Sequence, residues 1–145
     1  MFLGKYSRTL DAKGRLALPV KFREQLPNGS VVTISPENCL RVYTPAEWGQ
    51  VTASLRVSEA TGETERNLVR RMFAEAAEIE FDGQGRALIP ATLRDHAGIG
   101  VTAMVVGVNN VVEIWSDASW RALEAATSDF THLADEVASS RNAST

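Results

Sequence analysis

Apolar and polar residues alternate over short runs near the start of the chain, and this pattern predicts strands separated by tight turns. Four runs fit it: Tyr6–Leu10, Arg15–Leu18, Val31–Ile34 and Leu40–Tyr43. Between the first two runs, Asp11 supplies a carboxylate and Gly14 tolerates a positive φ, so a hairpin is predicted there. Pro19 ends the second strand and opens a short helix. Residues 44–47 (TPAE) have the composition of a capping box that starts another helix.

Longer helical patterns occupy the middle and the end of the chain. Over Glu63–Ala77, apolar residues recur four positions apart, which predicts an amphipathic helix. Helical spacing resumes after Trp120. The polar residues from Ser139 to Thr145 predict a frayed tail.

The first half of the pattern is repeated in the second half of the chain. Residues 10–23 (LDAKGRLALPVKFR) recur at 81–94 (FDGQGRALIPATLR), and residues 35–48 recur at 107–120. The matched pairs of the first block are Asp11/Asp82, Gly14/Gly85, Arg15/Arg86, Pro19/Pro90 and Arg23/Arg94. We therefore predict two β-β-α-β-β-α modules. The predicted boundaries are 5–47 for the first repeat, 48–75 for a helical linker, 76–119 for the second repeat and 120–145 for a helical extension with the frayed tail.

Each module is too small to form a stable hydrophobic core alone. A unit of about 45 residues buries little apolar surface, so the two copies are expected to share one core, or the chain to oligomerise. With 44% hydrophobic residues, the chain has enough apolar side chains for a packed core. The predicted fold is mixed α+β and β-rich, a pseudo-two-fold β-barrel with flanking helices.

Charge is distributed unevenly along the 145 residues, whose formal net charge is −3. Residues 1–26 hold six lysines and arginines against two carboxylates, whereas residues 100–145 hold two arginines against six carboxylates. The acidic total argues against a nucleic-acid partner, but the basic first segment could form a local binding surface.

The sequence gives little support for a membrane segment, a secretory signal, or a metal or redox site. The longest uncharged run, Ala97–Val112, contains glycines and asparagines and is too short to span a bilayer. The N-terminus has too few apolar residues for a secretory signal, so a cytoplasmic protein is expected. Cys39 is the single cysteine, and neither His96 nor His132 stands near it with metal-ligand spacing. We expect no cofactor, no metal, no small-molecule substrate and no membrane partner.

The first hairpin carries most of the candidate DNA-binding residues. Arg15, just after the turn, has a planar fork of donors that can reach two phosphate oxygens or a guanine edge. Lys13 stands at the turn tip, and Lys5 and Arg8 on the adjacent strand could extend a basic ridge. Arg86 is the equivalent candidate in the second repeat.

The charged residues of the turns also have a structural interpretation. Arg15 could pair with Asp82, and Arg86 with Asp11, and these pairs would brace the two hairpins. The aspartates could instead share a proton as an acid–base dyad, but an arginine four residues after each one favours two ionised carboxylates. Turn formation is the expected role of the four motif positions Asp11, Gly14, Asp82 and Gly85.

The string D-x-x-G-R-φ-x-φ-P-x-x-φ-R, present in both copies, resembles the signature of the SpoVT-AbrB class of swapped-hairpin DNA-binding domains. Two copies in one chain, with a helical linker and extension, are similar to the MraZ family of transcriptional regulators. The resemblance implies a double AbrB-like barrel of interlocked hairpins, with DNA contact through the elements Asp11–Arg15 and Asp82–Arg86. It further implies a cytoplasmic, nucleoid-associated repressor. Such a protein forms ring-shaped homo-oligomers and binds repeated boxes in double-stranded DNA upstream of a division and cell-wall gene cluster.

Two other function classes are alternatives to DNA binding. The acidic segment Asp129–Glu136 would suit an antitoxin-like protein-interaction module, in which the basic hairpin would be incidental. An enzyme is disfavoured because the sequence offers no recognisable nucleophile, metal cluster or phosphate loop. We therefore expect a non-enzymatic, DNA-binding regulator.

Overall fold

The computed structural model describes residues 1–143. Its strands are β1 (Lys5–Thr9), β2 (Arg15–Ala17), β3 (Val31–Ile34), β4 (Leu40–Tyr43), β5 (Ala77–Glu78), β6 (Arg86–Leu88), β7 (Thr102–Val108) and β8 (Val111–Ser116). Its helices are α1 (Val20–Glu24), α2 (Pro45–Ala53), α3 (Glu63–Ala74), α4 (Ala91–Ala97), α5 (Asp117–Ala126) and α6 (Phe130–Ala143).

The strands form a six-stranded antiparallel sheet and a separate two-stranded ribbon. The sheet has the order β1-β7-β8-β4-β3-β5, and the ribbon pairs β2 with β6. Most pairings join the two halves of the chain: β1 pairs with β7, β5 with β3, β4 with β8 and β2 with β6. The repeats are therefore built into one mixed α+β unit.

The predicted closed barrel is not what the strand ladders form. The sheet ends at β1 and β5, and only single bridges connect these edges to the ribbon, Leu10 to Leu16 and Phe81 to Ala87. The reason is that the two arms of each predicted hairpin separate after the turn. Since β1 pairs with β7 while β2 pairs with β6, the arms have only one bridge in common. The fold is a large antiparallel sheet with an added ribbon and flanking helices.

The two halves of the chain contribute to one hydrophobic core. Phe22 on α1 and its counterpart Leu93 on α4 are both buried in the same cluster, together with Leu16 and Ile89 from the first and second repeats. Phe2 packs edge-on against Phe22, with ring centroids 5.5 Å apart. Sharing one core allows each short module to bury apolar surface that it could not bury alone.

The limits of three helices can be compared with those that local chemistry predicts. Thr44 Oγ1 accepts a hydrogen bond from the amide of Glu47 at 3.2 Å, and Pro45 occupies the first position of α2. α3 begins at Glu63 as predicted but ends at Ala74, because Ala77 enters β5. α6 continues through Ser139, where the sequence predicts fraying, to Ala143. Positions 144 and 145 of that predicted tail lie outside the described residues.

Candidate nucleic-acid interface

The first turn, residues 11–14, is organised by the carboxylate of Asp11. Its Oδ1 accepts hydrogen bonds from the amides of Lys13 and Arg15, both at 2.9 Å. Gly14 adopts φ +81°, a conformation that glycine takes without a steric penalty. These bonds fix the backbone of the turn and direct Lys13 outward into solvent.

The second turn, residues 82–85, has the same geometry. Asp82 Oδ1 accepts from the amides of Gln84 and Arg86, again at 2.9 Å, and Gly85 adopts φ +76°. The two turns therefore share their backbone geometry as well as their aspartate and their final glycine.

Four charged side chains meet between the two turns, and we call Asp11, Arg15, Asp82 and Arg86 the four-charge cluster. Within each turn, Arg15 Nε lies 2.6 Å from Asp11 Oδ2, and Arg86 Nε lies 3.0 Å from Asp82 Oδ2. Across the turns, Arg86 Nη1 lies 3.3 Å from Asp11 Oδ2, and Arg15 Nη1 lies 3.9 Å from Asp82 Oδ2. The pairs that the structural interpretation suggested are present, and the cluster braces the two turns.

The cluster keeps both carboxylates ionised. The amide of Arg15, followed by its guanidinium, lowers the pKa of Asp11 to about 2, against a partial opposing effect of desolvation. The amide of Arg86 likewise lowers the pKa of Asp82. Two carboxylates with lowered pKa values do not share a proton, so this geometry does not support the acid–base dyad.

Only some of the N–H donors of the two guanidinium groups form bonds within the cluster. The side chains of Arg15 and Arg86 are 32% and 25% exposed. Arg86 bonds to both aspartates, whereas Arg15 makes one hydrogen bond and one longer ion pair. No acceptor among the described residues takes the Nη2 hydrogens of either arginine, so both retain donors for a ligand.

Two further arginines clamp the turns from the opposite repeat, a role that sequence reasoning did not anticipate. Arg94 packs against Gly14, where an added Cβ would lie 2.8 Å from its Cζ, and Arg23 packs against Gly85, where a Cβ would lie 2.2 Å from its Nη1. The amide of Ile89 also donates to the carbonyl of Gly14 at 3.0 Å. The repeat contained the relevant signal, because an arginine recurs nine residues after each glycine.

The tips of the two turns carry different side chains. Lys13 is exposed, and among the described residues its ammonium forms no ion pair. Gln84 occupies the equivalent position and is also exposed. The first tip therefore offers a free cation beside the four-charge cluster, and the second offers a neutral amide.

The structure does not bring Lys5 into a basic ridge with the turn. Lys5 lies at the far end of β1, and its ammonium pairs with Glu124 on α5. Arg8 is closer to the turn along the strand, with its guanidinium 5.4 Å from the centroid of the Tyr6 ring and Nη1 bonded to the Ser7 carbonyl. The candidate surface is narrower than the sequence suggested, and Lys13, Arg15 and Arg86 are its centre.

In the part of the chain that the structure describes, the other reactive groups do not assemble a second site. Burial raises the pKa of the Cys39 thiol to about 12, which leaves it protonated and unreactive at neutral pH. Among residues 1–143 no three histidine, cysteine or acidic side chains are grouped so that they could hold a metal ion. None of the described helices combines the length and apolar character needed to cross a membrane.

The chain matches one protein family twice in succession. The family described as "MraZ protein, putative antitoxin-like" matches residues 1–71 and again residues 72–140. The division between residues 71 and 72 falls between the two sequence repeats.

Relatives with the same family name cover almost the whole chain. A protein of Alkaliphilus oremlandii named transcriptional regulator MraZ is 41% identical over 138 residues, which span 95% of this chain and 94% of the relative. Proteins with that name from Ligilactobacillus salivarius and Frankia alni are 43% and 44% identical over 138 residues, or 94% of this chain and 96% of each relative.

Proposed function

This chain belongs to the MraZ family of transcriptional regulators, and we propose that it regulates transcription by binding double-stranded DNA in a sequence-specific manner through its first turn. The relatives that share this family name are named as transcriptional regulators and not as enzymes. The proposal assigns DNA contact to Lys13, Arg15 and Arg86, with Arg8 at the periphery, and it leaves out Lys5, whose ammonium pairs with Glu124.

The free ammonium of Lys13 is the observation that carries this proposal. It is held at the tip of a turn whose backbone is fixed by Asp11 and clamped by Arg94. A cation presented by a rigid turn contacts a phosphate with little loss of conformational entropy in the protein backbone. The unused donors of Arg15 and Arg86 lie beside it and suit a guanine edge or a second phosphate.

We also assign the two repeats, residues 5–47 and 76–119, to SpoVT-AbrB-like units interlocked about a pseudo-two-fold axis. The pairing of β1 with β7 and of β5 with β3 supports this assignment, because each joins the first strand of one repeat to the third strand of the other. The separated arms of each hairpin are what such an exchange requires. Residues 48–75 are then the linker and 120–145 the extension.

At the level of regulation, we propose a cytoplasmic, nucleoid-associated repressor of its own division and cell-wall gene cluster. One turn with two or three phosphate contacts binds weakly at physiological salt. A ring of identical subunits on repeated boxes makes each later contact intramolecular, which raises the affinity by orders of magnitude. The proposal requires neither a cofactor nor a small-molecule ligand.

The test is DNA binding by Lys13→Ala, measured by fluorescence anisotropy on a duplex from the region upstream of the chain's own gene. We expect the variant to lose binding at physiological salt, with a salt slope reduced by about one for each contacting subunit. Gln84→Ala is the matched control, because it truncates the equivalent tip without removing a charge. Wild-type affinity and salt slope for Lys13→Ala would contradict the assignment.

An antitoxin-like interaction module is the second candidate, favoured by the family description and by the exposed apolar face of α6. Under this function, Lys13→Ala would leave binding to the protein partner intact. Loss of DNA retardation in the same variant, with its mass in solution unchanged, therefore separates the two functions.

A further inference from the structure

The ribbon of β2 and β6 has one buried face and one outer face. The middle pair of its ladder, Leu16 opposite Ala87, is fully buried in the hydrophobic core. Because side chains alternate between the two faces of a strand, the pairs on either side of this one lie on the outer face. Those two pairs are Arg15 opposite Leu88 and Ala17 opposite Arg86. The outer face therefore presents both arginines of the four-charge cluster together with two apolar side chains.

Leu88 is the larger of these two apolar side chains, and it is 55% exposed. Side chains that lie directly opposite each other in an antiparallel pair have Cβ atoms about 4.5–5.5 Å apart, so Leu88 stands beside the side chain of Arg15. The equivalent position in the first repeat is Ala17. The ribbon thus forms with an alanine at this position, and its pairing does not require the leucine.

The shape and chemistry of the outer face suit the major groove of B-DNA. This groove is about 12 Å wide and admits a two-stranded β-ribbon. A guanidinium such as that of Arg15 can donate to O6 and N7 of guanine in the groove. The apolar group that the bases present there is the C5 methyl of thymine. An exposed leucine next to this arginine is therefore placed to contact such a methyl group.

We propose that Leu88 is a specificity-determining residue that contacts the C5 methyl of a thymine close to the base contacted by Arg15. Stacked base pairs are about 3.4 Å apart, so a side chain about 5 Å from Arg15 reaches a base one or two steps away. This inference rests on the proposed function, and it adds a sequence preference that phosphate contacts cannot supply. Ala17, which lies beside Arg86, is too short for the equivalent contact, so the preference belongs to one side of the ribbon.

The experiment removes the methyl group and the leucine separately and together. The probe is the duplex from the region upstream of the chain's own gene, synthesised either with thymine or with deoxyuridine at every thymine position, which removes only the methyl groups. We expect the wild type to bind the deoxyuridine duplex about fourfold more weakly for each methyl that it contacts. Leu88→Ala should bind the thymine duplex more weakly than the wild type and should lose most of the difference between the duplexes. Fluorescence anisotropy gives the four affinities.

These affinities separate a methyl contact from a purely supporting role of Leu88. A leucine that only packed against the stem of Arg15 would, when truncated, weaken binding to both duplexes by the same factor. Leu88→Met keeps a long apolar side chain and should retain the preference for thymine. Leu3→Ala is the matched control, because it truncates a leucine that is 65% exposed and precedes the far end of β1. It should bind both duplexes as the wild type does.

The outcomes distinguish failure of this inference from failure of the proposed function. An equal methyl effect in the wild type and in Leu88→Ala, or no methyl effect in a wild type that binds, would overturn the leucine contact alone. A change in the mass of Leu88→Ala in solution would also overturn it, by assigning the side chain to a contact between copies. A wild type that bound neither duplex would overturn both proposals. Lys13→Ala, measured at lower salt, should weaken binding to the two duplexes by the same factor, because its ammonium contacts phosphate.

Discussion

At positions 13 and 84, two turns with the same hydrogen bonds present different side chains to solvent. Asp11 and Asp82 each accept two amide bonds at 2.9 Å, and the glycines that follow adopt φ +81° and +76°. The tips, however, carry Lys13 in one case and Gln84 in the other. Duplication has kept the interactions that join the repeats and has changed the residues that face outward.

The difference extends to the strands that lead into the turns. Ser7 and Thr9 on β1 correspond to Glu78 and Glu80 before the second turn, and all four are exposed. The first turn is therefore flanked by neutral hydroxyls and the second by carboxylates. A duplex that approached the pseudo-symmetric pair of turns would be attracted to one side and repelled by the other. The predictions below test this asymmetry, beginning with the framework that both turns have in common.

The largest expected effect comes from adding a methyl group to the turn glycines. Gly85→Ala and Gly14→Ala should each destabilise the protein by about 1–3 kcal/mol, because a non-glycine residue is strained at positive φ. Gly85→Ala should be the more damaging, since its Cβ would lie 2.2 Å from Arg23 Nη1, against 2.8 Å from Arg94 Cζ for Gly14→Ala. Chemical denaturation of the two variants measures the difference.

Gly49→Ala serves as the reference substitution, because no heavy atom lies within 4 Å of its added Cβ. Equal stability of all three variants would contradict the strain at positive φ, and equal stability of the Gly85 and Gly14 variants would show that the closer approach of Arg23 adds no cost.

A smaller effect is expected from making the two tips identical. Lys13→Gln gives two neutral tips and should weaken DNA binding by about tenfold for each contacting turn, since a hydrogen bond to a charged group contributes about 1.5–3 kcal/mol. Gln84→Lys gives two cationic tips and should strengthen binding by less than that, because Glu78 and Glu80 oppose the approach of a phosphate. Anisotropy titrations at several salt concentrations measure both changes.

If Gln84→Lys gained as much affinity as Lys13→Gln lost, the two turns would contact DNA equally. The acidic flank of the second turn would then have no effect on binding, and the asymmetry would be confined to the tips.

Local structure followed from the sequence where short-range chemistry decides it. β3 and β4 have the predicted limits, because Val31–Ile34 and Leu40–Tyr43 are apolar runs bounded by turn residues. The start of α2 was predictable from the hydroxyl of Thr44 and the amide of Glu47. These features depend on residues within a few positions of one another.

The pairing of strands that lie far apart in the sequence could not be predicted in the same way. Alternation predicts that residues 6–10 form a strand, but it does not say whether that strand pairs with β2 or with β7, and β7 is the partner. The sequence likewise left Arg15 with two interpretations, ion pair or DNA contact. In the structure Arg15 pairs with Asp11 and still has N–H donors that form no bond within the cluster, so the two roles are compatible.

The smallest expected effect is the response of the four-charge cluster to acid. The pKa of Asp11 falls from 3.8 to about 2 in the folded protein, because the amide and guanidinium of Arg15 favour the carboxylate. A group whose pKa is lower in the folded state binds fewer protons there than in the unfolded chain, so its stabilising contribution is complete above pH 3.8 and declines as the pH falls toward 2. The difference in unfolding free energy between the wild type and Asp11→Asn should therefore be constant above about pH 5 and shrink below pH 3.8.

Asp82→Asn should show the same pH dependence, since the amide of Arg86 lowers the pKa of Asp82. Urea unfolding between pH 2 and pH 6 gives both curves, and a wild-type advantage that stayed constant down to pH 2 would show that ionisation of Asp11 does not contribute to holding the turns together.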